Sequence, residues 1–194
     1  MAVTQSASKP VEFPHGKLLL QLARDSIAHG LKTGTAIAVD PGNYPQDLRE
    51  PRAVFVTLDK GGELRGCIGT LEARQALVKE VADSAFAAAF RDTRFPPLGA
   101  DELDALHIHI SVLTPQQQLD VRSEQELLDL LLPGVDGLTL EEGYFRSTFL
   151  PDVWEKLPDK REFLQHLKLK AGLPADYWSD SIKVFRYRTV GVEE

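Results

Sequence analysis

Residues 75–90 read QALVKEVADSAFAAAF, and this stretch restricts the fold more than any other part of the chain. Leu77, Val81, Ser84, Ala85 and Ala88 recur at helical spacing on one stripe, and most of them are small. A helix with so little side chain on its buried face approaches its neighbour closely. A β-sheet offers the flat surface that such an approach needs.

Strands are written on both sides of it. In AVFVTLDKGGELRGCIGTL, residues 53–71, Val54, Val56 and Leu58 alternate with Phe55 and Thr57. DKGG supplies a turn that accepts positive φ, which predicts a β-hairpin whose second strand carries Leu64 to Ile68. After the helix, RDTRFPPLG stops it at Pro96 and Pro97. LHIHISVL then sets Ile108, Ile110 and Val112 on one strand face and His107, His109 and Ser111 on the other.

The remaining segments fill in around this centre. GKLLLQLARDSIAHGLKTG is a helix with Leu19, Leu22, Ala23, Ser26, Ile27 and Gly30 on one face. DPGNYPQDLREP is a turn-rich surface connection. Ser123 and Glu126 form a capping box before a short apolar helix, and Asp159 with Glu162 opens a second one that closes at Gly172 and Pro174. GLTLEEGYFRSTFLP reads as a hairpin turning at Glu142-Gly143. SIKVFRYRTVGV reads as one final strand with Phe185 and Tyr187 opposite Arg186 and Arg188. Helices and hairpins are interspersed without steady strand–helix alternation, so the class is α+β with mainly antiparallel pairing.

Composition excludes several functions. A formal charge of −7 argues against a dedicated nucleic-acid binder, because counterion release needs a basic surface or stripe. No apolar run approaches the roughly 18 residues that span a bilayer. The first residues lack a secretory n-region and h-region and read as a short disordered lead-in over 1–12, with a single domain over 13–194. One cysteine forms no internal disulfide and no Cys-rich zinc site, and the cytoplasm is the expected compartment. No P-loop, G-x-G-x-x-G or G-x-S-x-G pattern is present.

LRGCIGT at 64–70, RDTRFPPL at 91–98, ISVL at 110–113, GVDGLTL at 134–140, FLPDVWEKLP at 149–158 and FLQHLKLKAGLP at 163–174 together resemble the AMMECR-type family. Its prokaryotic members are called AmmeMemoRadiSam system protein A. The resemblance covers about residues 13–190. It implies a larger sheet-and-helix part, a smaller sub-domain and a groove between them near LRGCIG. It also implies association with Memo-like and radical-SAM proteins. It names no reaction and no cofactor. Where the family's last helix often carries a cysteine, this chain has Lys168; where it often has an acid before ISVL, this chain has His109.

Cys67 is the candidate nucleophile. The thiolate is the reactive form of cysteine, and a neighbouring cation such as Arg65, backbone N–H groups and a helix N-terminus all favour it. Gly66 and Gly69 permit close approach by a ligand, or equally a bulge or turn around a small buried thiol. Arg91 and Arg94, with Arg65, are candidate clamps for a carboxylate or phosphate; the competing reading pairs them with Asp92 and nearby acids. Arg74 is a weaker candidate. His107 and His109 share a spacing open to metal ions, but His166 cannot be placed as a third ligand, so no metal is expected. Tyr144, Phe145 and Trp154 are expected in packing. Two functions stay open: an enzyme or substrate-binding partner acting on a small anionic or aromatic molecule, and a non-catalytic interaction module in which Cys67 is structural.

Overall fold

The computed structural model of the protein describes residues 13–193; the lead-in expected over 1–12 lies outside the described residues. In chain order the elements are α1 (Gly16–Thr33), α2 (Gln46–Arg49), β1 (Val54–Lys60), β2 (Glu63–Gly69), α3 (Leu77–Phe90) and β3 (Leu106–Leu113). They continue with β4 (Gln117–Leu119), α4 (Glu124–Leu130), β5 (Gly137–Glu142), β6 (Phe145–Phe149), α5 (Lys160–Ala171), β7 (Lys183–Tyr187) and β8 (Thr189–Glu193). The class is α+β. The described residues form two compact units: one comprises those up to Val112 together with those from Val190, the other Leu113–Thr189.

The first unit is built on a sheet ordered β2-β1-β3-β8, with β1 antiparallel to both of its neighbours. Val54, Val56 and Leu58 pair in register with Val112, Ile110 and Ile108, and all six are fully buried or nearly so. Side chains alternate across a strand, so this one face is the core face, and burial of each large aliphatic group contributes about 1.5–3 kcal/mol. α3 lies against it with Leu77, Val81 and Ala85 buried, and α1 adds Leu19, Ala23 and Ile27 to the same cluster. Gly61 and Gly62, both at positive φ, form the two-residue turn between β1 and β2, as the right-handed twist of a hairpin requires.

The second unit holds a sheet ordered β4-β7-β5-β6. Leu138 and Leu140 of β5 and Val184 of β7 pack with Phe163, Leu164 and Leu167 of α5 and Leu127 of α4. The N-cap half of each expected box forms: the Ser123 hydroxyl accepts the Glu126 N–H at 3.2 Å, and Asp159 accepts the Arg161 and Glu162 N–H groups, while Glu126 Oε2 accepts the N–H of Arg122 rather than that of Ser123. Trp154 stacks on Phe163 with centroids 3.7 Å apart and donates its indole N–H to the Asp136 carbonyl.

One strand expectation is corrected. The final strand is two: β7 belongs to the second sheet and β8 to the first, with a break at Arg188. The Arg188 N–H donates to the Thr114 hydroxyl, and its carbonyl accepts the Thr114 N–H. The chain therefore leaves the first sheet after β3 and returns to it through β8. Nothing in SIKVFRYRTVGV, which lacks a proline and places its glycine beyond the break, marks that position.

Candidate functional site

β2 is an edge strand, so half of its peptide groups face away from β1. At Cys67 those outward groups are occupied. The Cys67 N–H donates to Asp92 Oδ2 at 2.9 Å, and the Cys67 carbonyl accepts from Arg94 Nη2 at 3.3 Å. Arg94 also grips Asp92 through Nε at 2.9 Å and Nη2 at 2.6 Å. The loop that Pro96 and Pro97 stiffen thus lays an ion pair across the strand edge. Asp92 is buried, with a side chain 4% exposed, whereas Arg94 is 54% exposed. The Arg94 guanidinium, aided by the N–H groups of Cys67 and Arg94, holds the Asp92 carboxyl well below the usual carboxylate range despite its burial.

The glycines of LRGCIG answer to packing. A Cβ on Gly66 would lie 2.2 Å from the Ala88 carbonyl oxygen of α3, and one on Gly69 would lie 2.2 Å from the Val54 carbonyl oxygen. Both distances are well inside van der Waals contact with backbone that cannot retreat. The small stripe of α3 and Gly66 form one close helix–sheet contact, whereas Gly69 lies against the backbone of β1. Alternation then turns Cys67 to the other sheet face, in register with Thr57 and, through it, His109. The Thr57 hydroxyl donates to Cys67 Sγ at 3.3 Å. The thiol is half-buried.

Arg65 sits where the register between β1 and β2 slips: Leu58 pairs with Gly66 but Asp59 with Leu64. Such a bulge re-aims a side chain. Arg65 reaches Glu102 with two bonds, Nε at 3.0 Å and Nη2 at 2.9 Å, and Lys60 reaches the same carboxylate at 2.9 Å. Arg65, then the Gly99 N–H and Lys60, hold the Glu102 carboxyl well below its ordinary value. Arg74 pairs with Glu72 at 2.6 Å in an exposed turn.

Arg91 differs from Arg65, Arg74 and Arg94. Its guanidinium lies 5.0 Å from the Phe86 ring centroid, and among the described residues no carboxylate is within 4.0 Å of it. It stands at one end of an open cleft of about 450 Å³ within the first unit. One wall is α3 from Glu80 to Arg91, the opposite wall is Ile68 and Gly69 at the end of β2, and Thr35 and Ala36 close a side. The volume falls in the range of small-molecule sites, about 300–1,000 Å³. Cys67 does not line it.

The AMMECR1 family profile matches residues 20–192. The chain belongs to the AMMECR1 family. It is 38% identical over 181 residues to a Methanothermobacter thermautotrophicus protein, covering 92% of this chain and 94% of that one. It is 37% identical over 189 residues to a Methanocaldococcus jannaschii protein, covering 92% and 90%. The crystal structure of an uncharacterised Pyrococcus horikoshii protein, 36% identical, superposes with a TM-score of 0.80 over 92% of this chain and 91% of that one.

In this AMMECR1-family chain the candidate residues divide into separate groups. Cys67 and Arg94 meet at the strand edge, Gly66 packs under α3, Arg65 is held apart by Glu102, and Gly69 and Arg91 border the cleft. His107 is exposed and His109 half-buried beside Gly191, and the described residues hold no cluster of three metal-ligating side chains. Among the described residues no helix is long and apolar enough to cross a membrane. Of the aromatics expected in packing, Trp154 is buried, but Tyr144 is fully exposed and Phe145 about half exposed. Tyr144 occupies the tip of the β5–β6 hairpin, where a two-residue turn leaves its ring nothing to pack on. Sequence reading missed Glu80, Asp83 and Ser84 as cleft residues. The stripe of α3 was visible, but which of its flanks stays open is decided by elements far away in the chain.

Proposed function

We propose that this AMMECR1-family protein binds a small anionic or aromatic molecule in the cleft between α3 and β2, with the anionic group on Arg91. In this reading LRGCIG is the rigid wall of the cleft, and Cys67 is a structural thiol on the opposite sheet face. The observation that carries it is the state of the arginines. Arg65, Arg74 and Arg94 already pair with carboxylates, while the Arg91 guanidinium has no carboxylate partner among the described residues and stands at the rim of a cavity of suitable size. The Phe86 ring beneath Arg91 attracts the guanidinium without neutralising it.

Association with Memo-like and radical-SAM proteins belongs to the same proposal and rests on family resemblance alone. The protein would supply a bound small molecule to such enzymes or receive one from them. Titration of the protein with benzoate, followed by calorimetry or ligand-observed NMR, tests the binding reading. Saturable binding that Arg91→Ala removes supports it. Absence of binding, or binding unchanged by Arg91→Ala, overturns it.

A further inference from the structure

The cleft is unbalanced in charge at both ends, in opposite senses. At the end away from Arg91, Gln75 Nε2 donates to Glu80 Oε2 at 3.1 Å and to Asp83 Oδ2 at 2.8 Å. Glu80 Oε1 accepts the hydroxyl of Ser84, which is itself buried, at 3.3 Å. One neutral amide nitrogen therefore draws two carboxylates together. Among the described residues neither carboxylate has a Lys, Arg or His within 4.0 Å. Like charges so placed repel, and a cation over them relieves the repulsion.

The two ends are spaced along one helix. Asp83 and Arg91 are separated by about 12 Å of axial rise at 1.5 Å per residue. Helical side chains lean toward the N-terminus, and the guanidinium of Arg91 lies over Phe86, so the free span is shorter than the axial one. Between the ends the lining includes the apolar groups of Ile68, Phe86 and Ala87 beside the hydroxyl-bearing Ser84 and Thr35.

We infer that the ligand of the cleft is amphoteric, with an ammonium-type cation against Glu80 and Asp83, an apolar or aromatic middle over Ile68 and Ala87, and an anionic group on Arg91. This rests on the cleft being the binding site. Acids toward the N-terminus of α3 and an arginine at its C-terminus also suit the helix dipole. Dipole compensation changes the stability of the helix but gives no preference among ligands, so selectivity separates the two.

The experiment compares three probes of one shape, 4-(aminomethyl)benzoate, benzoate and benzylamine, against the intact chain by calorimetry. The amphoteric probe is expected to bind at least about tenfold more tightly than benzoate, a factor worth about 1.4 kcal/mol. In Glu80→Gln/Asp83→Asn the ratio of amphoteric-probe to benzoate affinity falls to about one, and in Arg91→Ala binding of both is lost. Thermal unfolding of each variant confirms the fold, and Glu80→Gln alone serves if the double variant does not fold. Equal affinity for benzoate and the amphoteric probe overturns this inference and leaves the anionic reading standing. Binding of neither overturns both.

Discussion

The buried carboxylate of Asp92 accepts the backbone N–H of Cys67 at 2.9 Å, across 25 residues of chain. That bond explains why the LRGCIG and RDTRFPPL segments occur together: one is an exposed strand edge and the other is its cover. An open edge strand is a template for unwanted pairing, and a loop carrying a charge pair removes that hazard.

Asp92→Ala leaves the Cys67 N–H and the Arg94 guanidinium without their acceptor. The expected cost is about 2–4 kcal/mol, in line with loss of one partner from a buried charged network. Arg94→Ala costs less, because Arg94 is 54% exposed and water replaces part of its contact. Denaturant unfolding of both variants and their double mutant measures the difference.

Acid weakens the first unit through Asp92 and Glu102. Both carboxyls lie lower in the folded protein than their ordinary values. Their stabilisation is therefore complete above the unfolded carboxylate range of about pH 4 and is lost as pH falls toward the folded values. Asp92→Asn/Glu102→Gln is expected to be less stable at neutral pH and to lose less between about pH 5 and 3 than the parent. Unfolding midpoints across that interval check the slope.

Gly66→Ala forces a methyl against the Ala88 carbonyl and separates α3 from β2. A loss of about 3 kcal/mol or more is expected, at the severe end of overpacking because backbone is struck. Cys67→Ala, on the open side of the same strand, is expected to cost about 1 kcal/mol or less, mostly the bond from Thr57. Thermal unfolding ranks the two.

Cys67→Ala is also expected to leave benzoate binding unchanged, since the thiol lies across the sheet from the cleft. Calorimetric titration of the variant decides this. A loss of binding with the fold intact would return Cys67 to the site.

Lys168 is fully buried in the second unit, where Nζ donates to Glu124 at 2.7 Å and to the Ala175 carbonyl at 2.9 Å. Lys168→Ala removes the long aliphatic stem and both bonds and is expected to cost about 3–5 kcal/mol. Lys168→Met keeps most of the volume and is expected to cost clearly less, because Glu124 is 27% exposed and water can solvate it. Urea unfolding of the two variants reads the gap.

The family was legible because its signature segments are local strings. So were the elements whose causes lie within a dozen residues: the Gly61-Gly62 turn, the capped helices, and the division of β3 into an aliphatic face and a histidine face. The pairing of Arg94 with Asp92, the competing reading of the sequence, was also within reach, two positions apart. Arg65 was not, since Glu102 lies 37 residues away and a bulge aims the side chain there. Neither was the division at Arg188, because both halves of the last segment alternate well enough to be strand.

Taken alone, the sequence determined the α+β class and the small face of α3, since side-chain size and period act through nearest neighbours. Only the tertiary structure decided which of the candidate arginines pair with carboxylates, which cleft acids have no cation near them among the described residues, that Gly66 faces α3 and which side of β2 carries the thiol. Those properties depend on what other elements bring within a few ångströms, and Coulomb and hydrogen-bond energies depend on distance in space rather than separation along the chain.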